Sequence, residues 1–270
     1  MEENPYESPR TEDDPPVGKK SPVARRLVQG LVLLGILAVL VALLLPAVRS
    51  AREPARRAQC VNNLRQIALA LHNYAAEHEC LPPVYTVDAD GNPLHSWRTL
   101  ILPFIEHAPL YDMIDLSKPW DDPVNQLAFE TYLSIYRCPS VVSPNNHANY
   151  LAVVAPFGCF LPTRPRELSD IPGEAHLALL VIEVDETHSV PWMKPIEPIE
   201  DWLRNLDTMS RRGLETSVRT PHPGGVQGVM LDGSVRHLTR EELDELISKT
   251  SSGTSQLAHI DAAYSQSASH

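Results

Sequence analysis

Residues 27–48 read LVQGLVLLGILAVLVALLLPAV, with no charged side chain inside the run and Arg25, Arg26 and Arg49 at its edges. A helix of this length, rising about 1.5 Å per residue, just crosses a hydrocarbon core of about 30 Å. Its Leu, Val and Ile residues each favour insertion by roughly 0.3–0.6 kcal/mol, and Gln29, Gly30, Gly35 and Pro46 reduce that sum without reversing it. A buried core helix and a cleaved signal peptide fit less well. The apolar region of a signal peptide spans about 7–15 residues, and no clean Ala-x-Ala site follows this one. The expectation is an uncleaved single-pass anchor over residues 23–49, with the lipid bilayer as partner.

The next stretch has a different pattern. Cys60, Leu64, Ile67, Leu71, Tyr74 and His78 recur at alternating spacings of four and three, and all but His78 are apolar. That is one face of a helix. Asn62, Asn63, Arg65, Gln66, His72 and Glu77 fall on the other face. A long helix is expected, its first half in lipid and its second half packed on a domain. Pro54 lies between the halves and should kink or break it. Leu81-Pro82-Pro83 should end it near Glu79.

The 270 residues carry a formal net charge of −11. This length suits one domain, expected over residues 50–249, plus tails at 1–22 and 250–270 whose compositions predict disorder. The acidic balance argues against nucleic acid as partner, because no basic face is available to neutralise phosphates. Arg49, Arg52, Arg56 and Arg57 form the one basic cluster, beside the span, where anionic lipid headgroups are the natural counterpart. Five basic residues precede the span and five follow it at similar distance, so charge does not set orientation.

Further along, residues 149–155 and 176–184 are continuous apolar runs that predict buried strands. Residues 84–86 predict a short strand, followed by a turn at Asp90-Gly91. Residues 97–105, broken by Pro103, predict short helical pieces. Residues 115–123 predict an ordered loop pinned by Trp120, and 127–136 a helix or extended segment. The prolines in 190–199 exclude regular structure there, with Trp192 and Trp202 capping the core. Asp232-Gly233 between two apolar runs predicts a hairpin with a type I′ turn. Thr239 and Glu242 have the spacing of a capping box at the start of a last helix, 240–248. Together these elements predict an α+β fold, a long N-terminal helix packed on an antiparallel-rich sheet with irregular Pro-rich loops.

Several strings, in order, carry a resemblance: LLLPAVRSAREPARR at 43–57, QCVNNLRQIALALHNY at 59–74, Leu81-Pro82-Pro83, Ser96-Trp97-Arg98, Pro119-Trp120-Asp121, YRCPS at 136–140, Asn149-Tyr150, and HPGGVQGVMLDGSV at 222–235. The chain resembles bacterial pilin-like proteins of a domain-of-unknown-function family. That family has a prepilin-type N-terminus, similar to the type II secretion pseudopilin G, and a C-terminal His-x-nine-Asp-Gly signature. Here the signature is His222, Asp232 and Gly233. The resemblance implies a pilin-like fold and a domain outside the cytoplasm, with the N-terminus inside and the anchor in the cytoplasmic membrane. The prepilin pattern Gly-Phe-Thr-Leu-x-Glu is absent: residues 29–35 read QGLVLLG. Without its Phe-Thr and glutamate, the helix is expected to remain an anchor and not to be processed for filament assembly.

His222 and Asp232 invite two readings. One is a metal or catalytic pair, with Glu183, Asp185 or His188 as neighbours. The other is structural, with Asp232 shaping the turn and His222 tying the Pro-Gly-Gly loop to the sheet. Two residues are too few for a metal site, and no further ligand has a suitable spacing, so the structural reading is expected, with no metal and no cofactor. No Ser-His-Asp order, Gly-rich phosphate loop or His-Glu-x-x-His string is present, so no enzyme is expected.

The cysteines, Cys60, Cys80, Cys138 and Cys159, include no Cys-x-x-Cys pair, and suit one or two disulfides outside the cytoplasm or four ordinary thiols. Cys60 and Cys138 both sit inside the family-matching strings, and a disulfide between them is expected. It would close a loop worth about 4.5 kcal/mol in the chain-entropy model. Cys80 and Cys159 are candidates for a second.

The function expected is a membrane-anchored structural or interaction protein, with other pilin-like or envelope proteins as possible partners. The alternative is a ligand-binding module, for glycan or calcium, on the same anchor. A concave aromatic surface built from Trp97, Trp120, Trp192 and Trp202 would favour the alternative. The same tryptophans dispersed in one core would favour the first.

Overall fold

The computed structural model describes residues 22–154, 158–171, 174, 177–197, 221–222, 224–239, 241–243 and 245–246. The two terminal tails and Trp202 lie outside them. The chain divides into two compact units, Met1–Arg52 and Glu53–His270. Helix α1 spans Pro22–His78. Within the first unit, Arg25–Ala42 is long and apolar enough to cross a membrane, and none of it is buried. The helix runs without interruption through Pro54, where a kink or break was expected.

In the second unit, α1 presents Cys60, Leu64, Ile67 and Leu71 to the core, all fully buried. Tyr74 is half-buried, and its ring lies 4.2 Å from that of exposed His78. The expected face therefore packs inward over four of its six positions. Asn63, assigned from periodicity to the outer face, is buried. Its Nδ2 donates to the carbonyls of Ser134 and Arg137, so a polar side chain on the margin of the stripe is drawn in by orphan backbone acceptors. The helix stops at His78 because Glu79 turns left-handed, at φ 63°.

The main sheet has four antiparallel strands in the order β4 (Tyr150–Ala152), β5 (Leu179–Glu183), β7 (Val226–Met230) and β8 (Val235–Leu238). Register pairs Tyr150 with Glu183, Ile182 with Gly228, and Val229 with Val235. The two inner strands, β5 and β7, are buried at every residue; β5 runs apolar without alternation up to Glu183, while β7 carries Gln227 and Gly228 between its apolar residues. Their apolar side chains share one core with the stripe of α1. Two small sheets complete the unit: β1 (Tyr85–Val87) with β2 (Pro93–Ser96), and β3 (His147–Ala148) with β6 (Val190–Pro191). The β6 segment falls where prolines were expected to exclude regular structure. A two-residue edge strand tolerates Pro191, because its missing N–H leaves few ladder bonds to break. Among the described residues the architecture is mixed helix and antiparallel sheet, with one N-terminal apolar helix.

Short helices α2 (Trp97–Leu100), α3 (Ala108–Tyr111) and α4 (Gln126–Phe129) fill the connection between β2 and β3. The loop at 115–123 is held less by Trp120 than by buried Asn125. Asn125 accepts from Asp115 N at 2.8 Å and donates to the carbonyls of Asp115 and Pro119. Trp120 adds an edge-on contact with Phe129 at 5.1 Å.

The β7–β8 turn is not type I′. That turn needs positive φ at both central residues, and Gly233, at φ 80°, has it while Asp232 does not. Gly233 N donates to Met230 O and Met230 N to Ser234 O, the pattern of a three-residue loop with a left-handed glycine closing it. Asp232 Oδ1 accepts from Ser234 N at 2.8 Å and from Ser234 Oγ at 2.6 Å, which fixes the turn. Beyond β8 the capping box is present: Thr239 N donates to Glu242 Oε2 and Glu242 N to Thr239 Oγ1.

Candidate functional site

Four buried side chains from four separate segments meet between α1 and the sheet. Cys60 comes from α1, Cys138 from the loop after the 3-10 turn Ser134–Tyr136, Glu183 from the last position of β5, and His222 from the approach to β7. One atom from each lies within 4.8 Å of all the others, and all four residues are buried. The Sγ atoms of Cys60 and Cys138 are 3.1 Å apart, both as thiols. His222 Nε2 is 3.8 Å from Cys138 Sγ and 3.4 Å from Glu183 Oε1.

The surroundings aim these atoms at one another. Glu53, two helical turns before Cys60 on α1, accepts from His222 Nδ1 at 2.7 Å. The same carboxylate accepts from Ser140 Oγ. Glu183 Oε2 accepts from Gln227 N, while Glu183 Oε1, fully buried, has the His222 ring, with Nε2 at 3.4 Å, as its ion-pair partner. Ser140 N donates to Cys138 Sγ at 3.4 Å. Thus His222 Nδ1, Glu183 Oε2 and part of the Cys138 sulfur are turned outward to partners, and His222 Nε2, Glu183 Oε1 and both sulfurs face the centre.

The electrostatics follow from this packing. Burial disfavours charge on His222, but Cys138, Glu183 and Glu53 more than offset it and push its pKa up to about 10. The imidazolium is therefore held between carboxylates. The hydrogen bond to His222 holds Glu53 below the usual carboxylate range against the opposing effect of desolvation. The contact with Cys60, and then burial, push the Cys138 thiol up. A buried proton-rich set of two thiols, an imidazolium and a carboxylate can exchange its protons for a cation.

The residues singled out from sequence distribute unevenly. His222, Cys60 and Cys138 are brought together here. Asp232 and Gly233 sit at the hairpin tip, with Asp232 exposed. Cys80 is partly exposed, its Sγ donating to His78 O, and Cys159 is buried with its thiol pushed up to about 12 by burial. Both are free thiols. Asp185 and His188 pair with each other, Oδ1 to Nδ1 at 2.8 Å. Of the three neighbours weighed for His222, Glu183 is the one that reaches it.

Glu53 was missed. Its signal was its spacing of seven residues from Cys60, which puts both on one helix face.

The family model described as Protein of unknown function (DUF1559) matches residues 49–167. The match contains Glu53, Cys60 and Cys138 and stops before Glu183 and His222. It supports a link to a family of unknown function. No curated protein and no solved structure matches the chain.

Proposed function

We propose that this chain is a single-pass, membrane-anchored structural or interaction protein whose pilin-like domain lies outside the cytoplasm, and that it is not an enzyme. The observation that carries the choice between the two expected functions is the placement of the tryptophans. Trp97 and Trp192 are completely buried, with Trp97 Nε1 donating to Glu197 Oε1 and Trp192 Nε1 to Phe129 O. Trp120 is half-buried against Phe129. Two of the four are core residues and a third packs against the core, so these three do not line an open aromatic surface on which a sugar ring would stack.

Calcium is disfavoured on other grounds. Among the described residues the one group of converging ligand side chains holds two sulfurs, an imidazole and a single carboxylate. A hard cation takes six to eight oxygens. The anchor is supported by the exposed apolar helix at Arg25–Ala42 and by the absence from the sequence of the peptidase pattern. The partners on this reading are the bilayer and other pilin-like or envelope proteins, not nucleic acid.

Alkaline carbonate extraction of membranes, combined with tryptophan emission of the purified full chain, tests this. The chain should stay with the bilayer, and added glycans or calcium should leave the emission unchanged. Saturable quenching by a glycan would favour the ligand-binding module, and release into the alkaline supernatant would remove the anchor.

A further inference from the structure

The cluster between α1 and the sheet is over-built for a pair of cysteines. A disulfide would account for Cys60 and Cys138 but not for the convergence of a buried Glu183 oxygen and His222 Nε2 on the same two sulfurs, one atom of each within 4.8 Å of the others. It would equally leave unexplained why His222 points Nε2 at the same spot while Nδ1 is held by Glu53. We propose that Cys60, Cys138, Glu183 and His222 form a closed structural binding site for a divalent transition-metal ion of borderline softness, with zinc as the reference case.

The donor set fits that ion. Thiolate sulfur, imidazole nitrogen and a single carboxylate oxygen are the ordinary zinc donors, and four protein ligands with no open position define a structural site. Bond lengths of about 2.0–2.3 Å make the edges of such a tetrahedron about 3.3–3.8 Å. The Glu183–His222 and Cys138–His222 edges, 3.4 Å and 3.8 Å, already match. The two sulfurs, at 3.1 Å, need to part by about 0.7 Å.

The surroundings fit as well. Glu53 on His222 Nδ1 is the carboxylate–histidine arrangement that fixes the tautomer and points Nε2 at a metal. The N–H of Ser140 on Cys138 Sγ stabilises negative charge on that sulfur. On binding, the metal takes the place of the two thiol protons and the Nε2 proton. Three protons go to solvent and no oxidant or reductant is needed.

The ligands explain what the site is for. Cys60 lies on α1, Glu183 on inner strand β5, and Cys138 and His222 on loops at either side. One ion would rivet the helix to the sheet it packs on. The signature histidine would then be a metal ligand, and the signature Asp-Gly would shape the hairpin that follows it.

The test is metal analysis of the full chain purified in detergent without chelator. Elemental analysis should find one zinc per chain. Exchange with cobalt should produce the intense visible bands of a tetrahedral site and a near-ultraviolet thiolate-to-cobalt band. Glu183→Gln and Cys138→Ser should each abolish stoichiometric binding. Glu53→Gln, which leaves all four ligands, should weaken affinity about 10- to 100-fold while keeping the cobalt spectrum.

The wild-type measurement decides even if a ligand variant fails to fold. Two outcomes overturn the proposal: a Cys60–Cys138 cross-linked peptide in protein trapped directly from cells, or metal-free protein with both thiols titratable that does not take up cobalt.

Discussion

Arg98 Nη1 lies 2.6 Å from Glu197 Oε1, with both side chains closed to solvent, although the two residues come from opposite halves of the domain sequence. Arg98 also donates through Nε and Nη2 to Tyr150 O on edge strand β4, and Glu197 accepts from Ala152 N on the same strand. Tyr136 Oη donates to Arg98 O. Together these groups tie α2, the outer strand and the segment after β6 into one polar hub.

Breaking this pair should be costly. Arg98→Met leaves the Glu197 carboxyl buried without its cation, and a loss of about 3–5 kcal/mol is expected. The double variant Arg98→Met/Glu197→Leu should recover much of it, because no buried charge is left unpaired. Urea unfolding followed by tryptophan emission reports on this directly, since Trp97 contacts both residues.

His95, on β2, gives the stability a pH dependence of known sign. Its ring is buried, with Nε2 donating to Lys118 O at 2.8 Å, and burial holds its pKa below the ordinary histidine value. The unfolded chain therefore binds the proton more readily. The stabilisation is complete above the unfolded value and is lost as pH falls from about 6.5 toward the lower folded pKa. His95→Gln should remove this part of the slope. Unfolding free energies of the two proteins at a series of pH values from 8 to 5 should converge as pH falls, and parallel curves would contradict the assignment.

Which parts of this were legible in the sequence follows from how local their causes are. Strand β5 was readable because an inner strand demands a long apolar run, and β7 and β8 because Asp232-Gly233 announces a turn between them. The inward stripe of α1 was readable from spacing alone. The type of that turn was not, because Asp-Gly suits both the two-residue loop and the three-residue loop with a left-handed glycine. The ladder register, set by packing of the whole strands, chooses between them.

The pairing of Arg98 with Glu197, the burial of Asn63 and the meeting of Glu183 with His222 all join residues tens of positions apart. Each is decided by how irregular connections fold back on the sheet. Spacing within one element carries no trace of that. Glu53 is the exception, since its place on the Cys60 face of α1 was available and unused.

The hairpin makes a separate prediction. Gly233 has φ 80° and open space around its missing Cβ, so the cost of replacing it is conformational alone. Gly233→Ala should destabilise by about 1–2 kcal/mol. Asp232→Ala, which loses both bonds to Ser234, should cost about 0.5–1.5 kcal/mol. Neither substitution should change metal stoichiometry, because both lie at the tip and not at the cluster.

The anchor prediction concerns processing. Because residues 29–35 lack the Phe-Thr and glutamate of the peptidase pattern, the chain should keep its N-terminal segment. Mass spectrometry of the protein from purified membranes should recover peptides that precede Gly30 on the mature chain. A mature N-terminus at Leu31 would show that processing occurs.

Orientation carries the central claim, that a single anchor presents the domain outside the cytoplasm. Protease added to intact spheroplasts measures it, with epitope tags at each terminus. The account predicts that the C-terminal tag is lost while a short N-terminal fragment containing the span stays protected. Retention of the C-terminal tag until the membrane is permeabilised, with loss of the N-terminal one, would place the domain in the cytoplasm and contradict the account.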